Sequence, residues 1–112
     1  MRYSQGDIIL LPYPFTDLSN TKQRPAVIIS KNSVNSDNYI VAKVTSVIRN
    51  DRFSFPIHPD EIDRELRYQS EVKTNELFTI HYSIVLKRFA SLNRDALSRL
   101  TDLIKENISI EG

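Results

Sequence analysis

Arg24 is the residue of this 112-residue chain whose type and position best suit chemistry. It stands directly before Pro25 and the apolar run Ala26 to Ile29, which has the composition of a buried strand. The planar guanidinium group of arginine binds a phosphate through two hydrogen bonds and stays charged at neutral pH. Arg24 therefore suits holding and neutralising a phosphate better than donating a proton. An ion pair with a surface carboxylate is the alternative role.

Two hydroxyl groups, those of Thr45 and Ser46, end the β-branched run that starts at Tyr39. A hydroxyl group both donates and accepts hydrogen bonds, so Thr45 suits contact with a phosphate oxygen or a ribose hydroxyl. It is a poor proton acceptor without an activating partner, and the sequence assigns none. An ordinary strand position is the alternative, since β-branched residues favour strands.

His58 and His81 are the side chains whose type most often serves in acid–base catalysis. His58 lies at the end of a predicted strand, where a surface position is the simpler interpretation. Neither histidine has a partner at the spacing of metal ligands, and the chain contains no cysteine. We therefore predict no metal site and no cofactor.

The composition fits one soluble globular domain over residues 1–112. Hydrophobic residues make up 40% and charged residues 26%, which is typical of a folded chain. No apolar run approaches the roughly 20 residues needed to span a bilayer, and the N-terminus has no apolar signal core. We expect a cytoplasmic protein with no membrane association.

The net charge of +1 is unevenly distributed. Residues 1–56 carry seven basic and four acidic side chains, whereas residues 57–112 carry eight basic and ten acidic ones. This bias is compatible with an RNA-binding face on the first half, although a nonspecific binder of duplexes would be far more basic.

Most of the chain predicts short strands. The runs rich in apolar and β-branched residues are 7–11, 26–30, 39–45, 53–57, 71–73, 77–80 and 87–92. Residues 13–23 form a long connection, and long ordered loops are often functional. A short helix is expected over residues 60–66, where Ile62 and Leu66 are four positions apart.

The C-terminus predicts an amphipathic helix. Asn93 is a good N-cap, and the helix should end near Asn107. Apolar residues follow the cap at helical spacing: Ala96, Leu97, Leu100, Leu103 and Ile104. Many short strands with one terminal helix predict a mainly β fold with α structure, a small bent barrel on which the helix packs.

Four motifs in a fixed order carry a resemblance to a known family. They are Gly6-Asp7-Ile8-Ile9-Leu10, Pro14-Phe15-Thr16-Asp17, Arg24-Pro25-Ala26-Val27-Ile28-Ile29-Ser30 and Ala42-Lys43-Val44-Thr45-Ser46. With them the chain resembles the MazF/PemK/Kid toxins of type II toxin–antitoxin systems over nearly its whole length. The resemblance implies an SH3-like β-barrel that assembles as a homodimer.

The resemblance also implies an activity. Members of this family are endoribonucleases that cut single-stranded RNA, usually mRNA, without a metal, and they leave a 2′,3′-cyclic phosphate and a 5′-hydroxyl. Their partner is an antitoxin whose acidic and hydrophobic tail fills the RNA groove. Single-stranded RNA and a cognate antitoxin are therefore the partners that the resemblance implies for this chain.

Site residues are carried over by position. Arg24 matches the family's catalytic arginine, Thr45 matches its threonine, and Ser46 occupies the polar position that follows. The catalytic set implied for this chain is therefore Arg24, Thr45 and Ser46. The residues expected to contact RNA lie in or beside the long connection and in a later strand: Tyr13, Phe15, Thr16, Lys22, Asn75 and Glu76.

One segment departs from the family pattern. Some members carry an Asp-Gln-x-Arg-Thr-Ile type of run, and the matching run here is Asn75-Glu76-Leu77-Phe78-Thr79-Ile80. Asn75 stands at the aspartate position and Phe78 at the arginine position, so the charged roles there cannot be transferred. Two functions stay open: an active endoribonuclease toxin, and a catalytically silent toxin-like module that binds nucleic acid or an antitoxin.

Overall fold

A computed structural model describes residues 3–13 and 22–112. In this part of the chain, six antiparallel strands form one sheet in the order β4-β5-β3-β2-β1-β6, and a helix follows. These elements are β1 (Asp7–Tyr13), β2 (Lys22–Ile28), β3 (Asn38–Thr45), β4 (Ser54–Ile57), β5 (Ser70–His81), β6 (Lys87–Ser91) and the helix α1 (Arg94–Ile108). The predicted mainly β fold with a C-terminal helix is confirmed.

Two backbone hydrogen bonds connect the two edges of the sheet. The amide of Asp63 donates to the carbonyl of Ser91 at 3.2 Å, and the amide of Asn93 donates to the carbonyl of Glu61 at 2.7 Å. Ile62, paired with the residue after β6 in an isolated bridge, lies between these two bonds. The segment that follows edge strand β4 thus contacts the opposite edge strand β6, and the sheet curves into a half-barrel.

The sheet buries an apolar layer on each face, because successive side chains of a strand point to opposite faces. Ile8 and Val27 belong to the layer that packs under Leu100 of α1. Ile9 and Ile28, their chain neighbours, belong to the layer on the other face. This two-sided burial explains why the runs in β1 and β2 are continuously apolar rather than alternating.

Helix α1 begins where the sequence predicts. The side chain of Asn93 caps it by accepting a hydrogen bond from the amide of Ala96 at 2.8 Å. Ala96, Leu100 and Ile104 are buried against the sheet, which accounts for their helical spacing. The helix ends at Ile108, one residue beyond the expected end.

The expected helix over residues 60–66 is wrong. Only Pro59–Glu61 forms a single turn of 3-10 helix. Ile62 is drawn instead into the bridge with Leu92, and its backbone pairing is incompatible with a continued helix.

The two short strands expected at 71–73 and 77–80 are in fact one strand, β5. Its pairing with β3 is irregular: Ala42 is opposite Leu77, whereas Val44 is opposite Val72. The polar residues 74–76 occupy this irregularity, so a break in the apolar pattern does not end the strand.

The predicted connection between the first two strands is shorter than expected. Lys22 and Gln23 already belong to β2, where they pair with Tyr13 and Pro12. Residues 14–21 lie outside the described residues.

Candidate active site

A groove of about 740 Å³ lies where β2 starts and β3 ends, beyond the last pair of the ladder that joins these strands. That last pair is Ala26 with Lys43. Arg24 and Thr45 each lie two residues beyond this pair, at positions that a continued antiparallel register would place opposite one another. Arg24, Thr45 and Ser46 all line the groove.

The backbone of Arg24 is fixed while its side chain is exposed. Arg24 pairs with Leu11 of β1, and its neighbour Gln23 continues the same ladder by pairing with Pro12. Its guanidinium group is therefore carried by a strand that is anchored by the buried residues that follow it, Ala26 and Val27. A cation held in this way at a groove is suited to binding an anion.

The hydroxyl group of Thr45 has a defined orientation. Its Oγ1 accepts a hydrogen bond from the amide of Val47 at 3.0 Å. Because this bond uses an acceptor lone pair, the hydroxyl hydrogen remains available for donation. Thr45, at the end of β3, can thus donate a hydrogen bond to a molecule in the groove.

The loop that follows Ser46 is fastened to β5 by a buried carboxylate. Glu71 is only 1% exposed. It accepts hydrogen bonds from the amides of Arg49 and Asn50, each at 3.2 Å, and from the hydroxyl of Ser54. These hydrogen bonds fix the loop a few residues after Ser46, at Arg49 and Asn50.

A buried lysine completes this attachment. The Nζ atom of Lys73 lies 3.4 Å from the carboxylate of Glu71 and 3.2 Å from that of Asp51. Asn50, one of the two residues whose amides donate to Glu71, has a φ of +50°, a left-handed conformation in which asparagine is enriched. The lysine offsets the negative charge that the fold would otherwise bury.

The surroundings of Glu71 shift its pKa. Burial raises the pKa, but the hydrogen bonds from Ser54 and from the amide of Asn50, together with Lys73, outweigh this effect. The pKa of Glu71 therefore lies below its ordinary value, and the folded protein favours the charged form.

One ion pair stands at the groove itself. The Nζ of Lys43 lies 3.5 Å from Oε1 of Glu76, and each side chain is 45% exposed. Because both side chains are exposed, both charges are accessible to a bound molecule. An exposed pair of this kind contributes little to the stability of the fold. Glu76 is the only carboxylate among the described residues that line the groove.

The structure brings four of the predicted site residues together in the groove: Arg24, Thr45, Ser46 and Glu76. Lys22 and Asn75 are exposed but do not line it. Tyr13 is described only as a backbone position of β1. Phe15 and Thr16 lie outside the described residues.

Sequence reasoning missed a part of the groove. Arg67 and Tyr68, which precede β5, line it, as does Val47 after Ser46. A cation next to an aromatic residue in the sequence could have indicated an RNA contact. This signal was overlooked because the two residues follow a segment that was expected to be helical. Phe78 also lines the groove and is half-buried against the apolar layer that contains Ile9 and Ile28.

The two histidines lie elsewhere. His58 is an exposed residue beside the 3-10 helix, and Nδ1 of His81 lies 2.7 Å from Oγ of Ser83. Within residues 3–13 and 22–112, no group of three or more histidine, aspartate or glutamate side chains is placed to hold a metal ion. In the same ranges, no helix has the length and apolar character needed to cross a membrane.

Comparisons with known proteins agree on one family. The family model for the PemK-like, MazF-like toxin of type II toxin–antitoxin systems matches residues 4–108. No curated protein matches the chain.

Several solved structures share the fold at low sequence identity. The crystal structure of MazE-MazF (Form-III) from Deinococcus radiodurans has a TM-score of 0.79 at 16% identity, over 99% of this chain and 100% of that one. Mycobacterium tuberculosis toxin MazF-mt6 has a TM-score of 0.74 at 18% identity, over 95% and 99%. An endoribonuclease in complex with its cognate antitoxin, from a mycobacterial species, has a TM-score of 0.76 at 9% identity, over 97% and 99%.

The tethering of the loop by Glu71 predicts a pH-dependent stability. Glu71→Gln should lower the unfolding free energy at pH 7 by about 1–3 kcal/mol, because a buried, hydrogen-bonded charge is lost. The folded pKa of Glu71 lies below its ordinary value of 4.5, so the wild type's advantage is present above pH 4.5 and is lost as the pH falls through the folded pKa.

Urea unfolding of both proteins between neutral and acidic pH measures this difference. Glu65→Gln, at an exposed position, is the matched control and should change the unfolding free energy by less than about 0.5 kcal/mol. A gap between wild type and Glu71→Gln that stays constant at all pH values would contradict the assignment.

Proposed function

The chain belongs to the PemK-like, MazF-like toxin family of type II toxin–antitoxin systems, and from this membership we propose that it is a metal-independent endoribonuclease that cuts single-stranded RNA. The observation that carries the proposal is the meeting of Arg24, Thr45 and Ser46 in one accessible groove. A protein with the same fold is named as an endoribonuclease, which supports the same class of reaction here.

In the proposed reaction, the RNA supplies its own nucleophile. The 2′-oxygen bonds to the adjacent phosphorus, the bond from phosphorus to the 5′-oxygen breaks, and a 2′,3′-cyclic phosphate and a 5′-hydroxyl result. The proton of the 2′-hydroxyl passes to a carboxylate of the protein, and solvent water delivers a proton to the departing 5′-oxygen. The protein must hold the two oxygens in line and stabilise the negative charge that develops on the phosphate.

Arg24 is assigned to the developing charge. Its planar fork can contact two phosphate oxygens at once, and its constant positive charge opposes their increase in negative charge. Thr45 is assigned as a hydrogen-bond donor to a phosphate oxygen, because the bond that it accepts from the amide of Val47 leaves its hydroxyl hydrogen available. Ser46 adds a second hydroxyl at the same end of the groove.

Glu76 is assigned as the acceptor of the 2′-hydroxyl proton. It is exposed, it lines the groove, and its contact with Lys43 leaves the carboxylate accessible. Neither histidine of the chain lines the groove, so neither takes this role in the proposal.

Replacement of Arg24 tests the proposed charge stabilisation. Arg24→Ala should lower the cutting rate by at least about 100- to 1,000-fold, the loss expected when a donor to a developing oxyanion is removed. Arg24→Lys should restore little, because an ammonium group cannot form the two-pronged contact. The measurement is the rate at which cyclic-phosphate ends appear in RNA incubated with the purified protein in EDTA.

Arg94→Ala is the matched control, since it removes an exposed arginine at the start of α1, outside the groove. Undiminished cutting by Arg24→Ala would remove Arg24 from the site. Binding of RNA by the wild type with no cutting would instead establish the second candidate function, a silent binding module. The observation that favours this second function is Phe78, an apolar residue in the groove where some relatives have an arginine.

Replacement of Thr45 separates its hydroxyl from its shape. Thr45→Val keeps the β-branched side chain but removes the donor, and we expect cutting to slow by about 10- to 100-fold, the loss of one hydrogen bond to a charged group. Thr45→Ser keeps the donor and should stay within a few-fold of wild type. Equal rates for the valine and serine variants would show that the hydroxyl takes no part.

A cognate antitoxin is the proposed protein partner, as in the complexes of similar fold. The groove combines cations such as Arg24 and Lys43 with apolar walls, so an acidic and hydrophobic tail fits it as RNA does. Occupation of one groove by both molecules would explain inhibition by direct competition. A cytoplasmic location is the proposal that agrees with an RNA substrate and an antitoxin made in the same cell.

A homodimer is the proposed assembly. The proposed contact is the surface over the second apolar layer, the one that contains Ile9 and Ile28. Tyr82, Ile84 and Val85 border this layer and are half-buried, and Leu86 beside them is 51% exposed. Leu86→Lys should therefore convert the dimer to a monomer in light scattering. Ile110→Lys, at a position that is 97% exposed, is the matched control and should stay dimeric. Equal masses for the two variants would contradict this contact surface.

A further inference from the structure

We propose that Arg67 and Tyr68 form a stacking platform for a nucleotide of single-stranded RNA, in the same groove as Arg24. This inference rests on the proposed function and adds a binding site to it. The platform binds substrate and takes no part in the cutting step.

The ring of Tyr68 is exposed and held in orientation. Tyr68 is 61% exposed although aromatic rings are usually covered, and it lines the groove. The guanidinium carbon of Arg67 lies 5.4 Å from the ring centroid, which is a cation–π contact. This contact restrains the ring, so less ordering is required when a base stacks on it.

The backbone under the ring is also anchored. The hydroxyl of Ser70 donates a hydrogen bond to the carbonyl of Tyr68 at 3.0 Å. Ser70 is buried and is the first residue of β5, the strand that also carries the tether of the loop after Ser46. The platform is thus attached to the same rigid strand that positions the proposed catalytic end of the groove.

The charge beside the ring is not neutralised by a carboxylate. Arg88 and Arg99 form ion pairs with Asp63 and Glu61, respectively. Arg67 forms no ion pair with any residue in 3–13 or 22–112. An exposed aromatic ring next to an available cation is the combination that binds a base and its phosphate in single-stranded nucleic acids.

The charges along the groove favour RNA as the occupant. Arg24, Lys43 and Arg67 line it against the single carboxylate of Glu76 among the described lining residues. A segment of acidic protein would meet the same cations, but it would not require an exposed ring face. The open face of Tyr68 therefore favours a nucleotide over a protein segment.

Binding of an uncuttable RNA tests the platform. We would titrate the full chain into a fluorescein-labelled RNA pool of random sequence in which every 2′-hydroxyl is methylated, so that no nucleophile is present. Tyr68→Ala should raise the Kd by about 5- to 100-fold, the loss expected for one base stacked on an aromatic ring. Tyr68→Phe should stay within about twofold of wild type, because the ring remains.

The salt dependence distinguishes the two platform residues. Arg67→Ala should lower the slope of log Kd against log salt by about 0.7, the value for one lost phosphate contact on a single strand. Tyr68→Ala should leave the slope unchanged. Arg52→Ala is the matched control: Arg52 lies 4.8 Å from the ring centroid of Phe53 outside the groove, so the same charge and contact are removed with no expected effect on Kd.

Cutting of unmodified RNA separates the two proposals. If the wild type binds but does not cut, the proposed function fails, while a raised Kd for Tyr68→Ala still supports the platform. If the wild type cuts and Tyr68→Ala changes neither Kd nor KM, the platform is overturned. Absence of any binding of the pool by the wild type would also overturn it.

Discussion

Two-sided burial of β1 and β2 is the constraint on which the rest of the structure depends. Each strand contributes alternate residues to both apolar layers, so its register with its neighbours is fixed by packing on both faces. A shift of β2 by one residue would exchange the layers and turn Arg24 to the opposite face of the sheet. The exposed end of β2 therefore inherits its orientation from buried residues such as Val27 and Ile28, although it makes few core contacts itself.

The other half of the groove depends on charge rather than apolar packing. Glu71 is buried because it completes the hydrogen bonding of two loop amides and a serine hydroxyl, and Lys73 balances its charge. Removing Lys73 would leave Glu71 buried without a cation, which is costly, whereas removing Glu71 would leave Lys73 paired with Asp51 alone. The same strand, β5, carries this pair, the carboxylate of Glu76 and the hydroxyl of Ser70 that holds the carbonyl of Tyr68. One element therefore contributes to several parts of the groove.

Local signals made part of this arrangement predictable from the sequence. The cap at Asn93, the helical stripe and the continuous apolar runs each reflect contacts within a few residues or a simple period, and the structure has those elements. The helix expected at 60–66 failed because Ile62 pairs with Leu92, thirty positions away, which no local pattern reveals. The groove position of Arg67 and Tyr68 was equally hidden, since exposed residues follow no period and only the curvature of the sheet brings them near β2 and β3.

The two departures from the family pattern, at Asn75 and Phe78, change the charges of the groove less than the sequence suggests. Asn75, which the sequence resemblance sets against an aspartate, does not line the groove, whereas the adjacent Glu76 does and supplies a carboxylate there. Phe78 pairs with Val41 and packs against the second layer, which explains an apolar residue at the arginine position. The positive charge that this position lacks is present on Arg67, across a different part of the same groove. In the proposed enzyme, a carboxylate and a cation are thus kept in the groove while their sequence positions have moved, because a nuclease site is defined by which charges surround the phosphate and not by which strand position carries them.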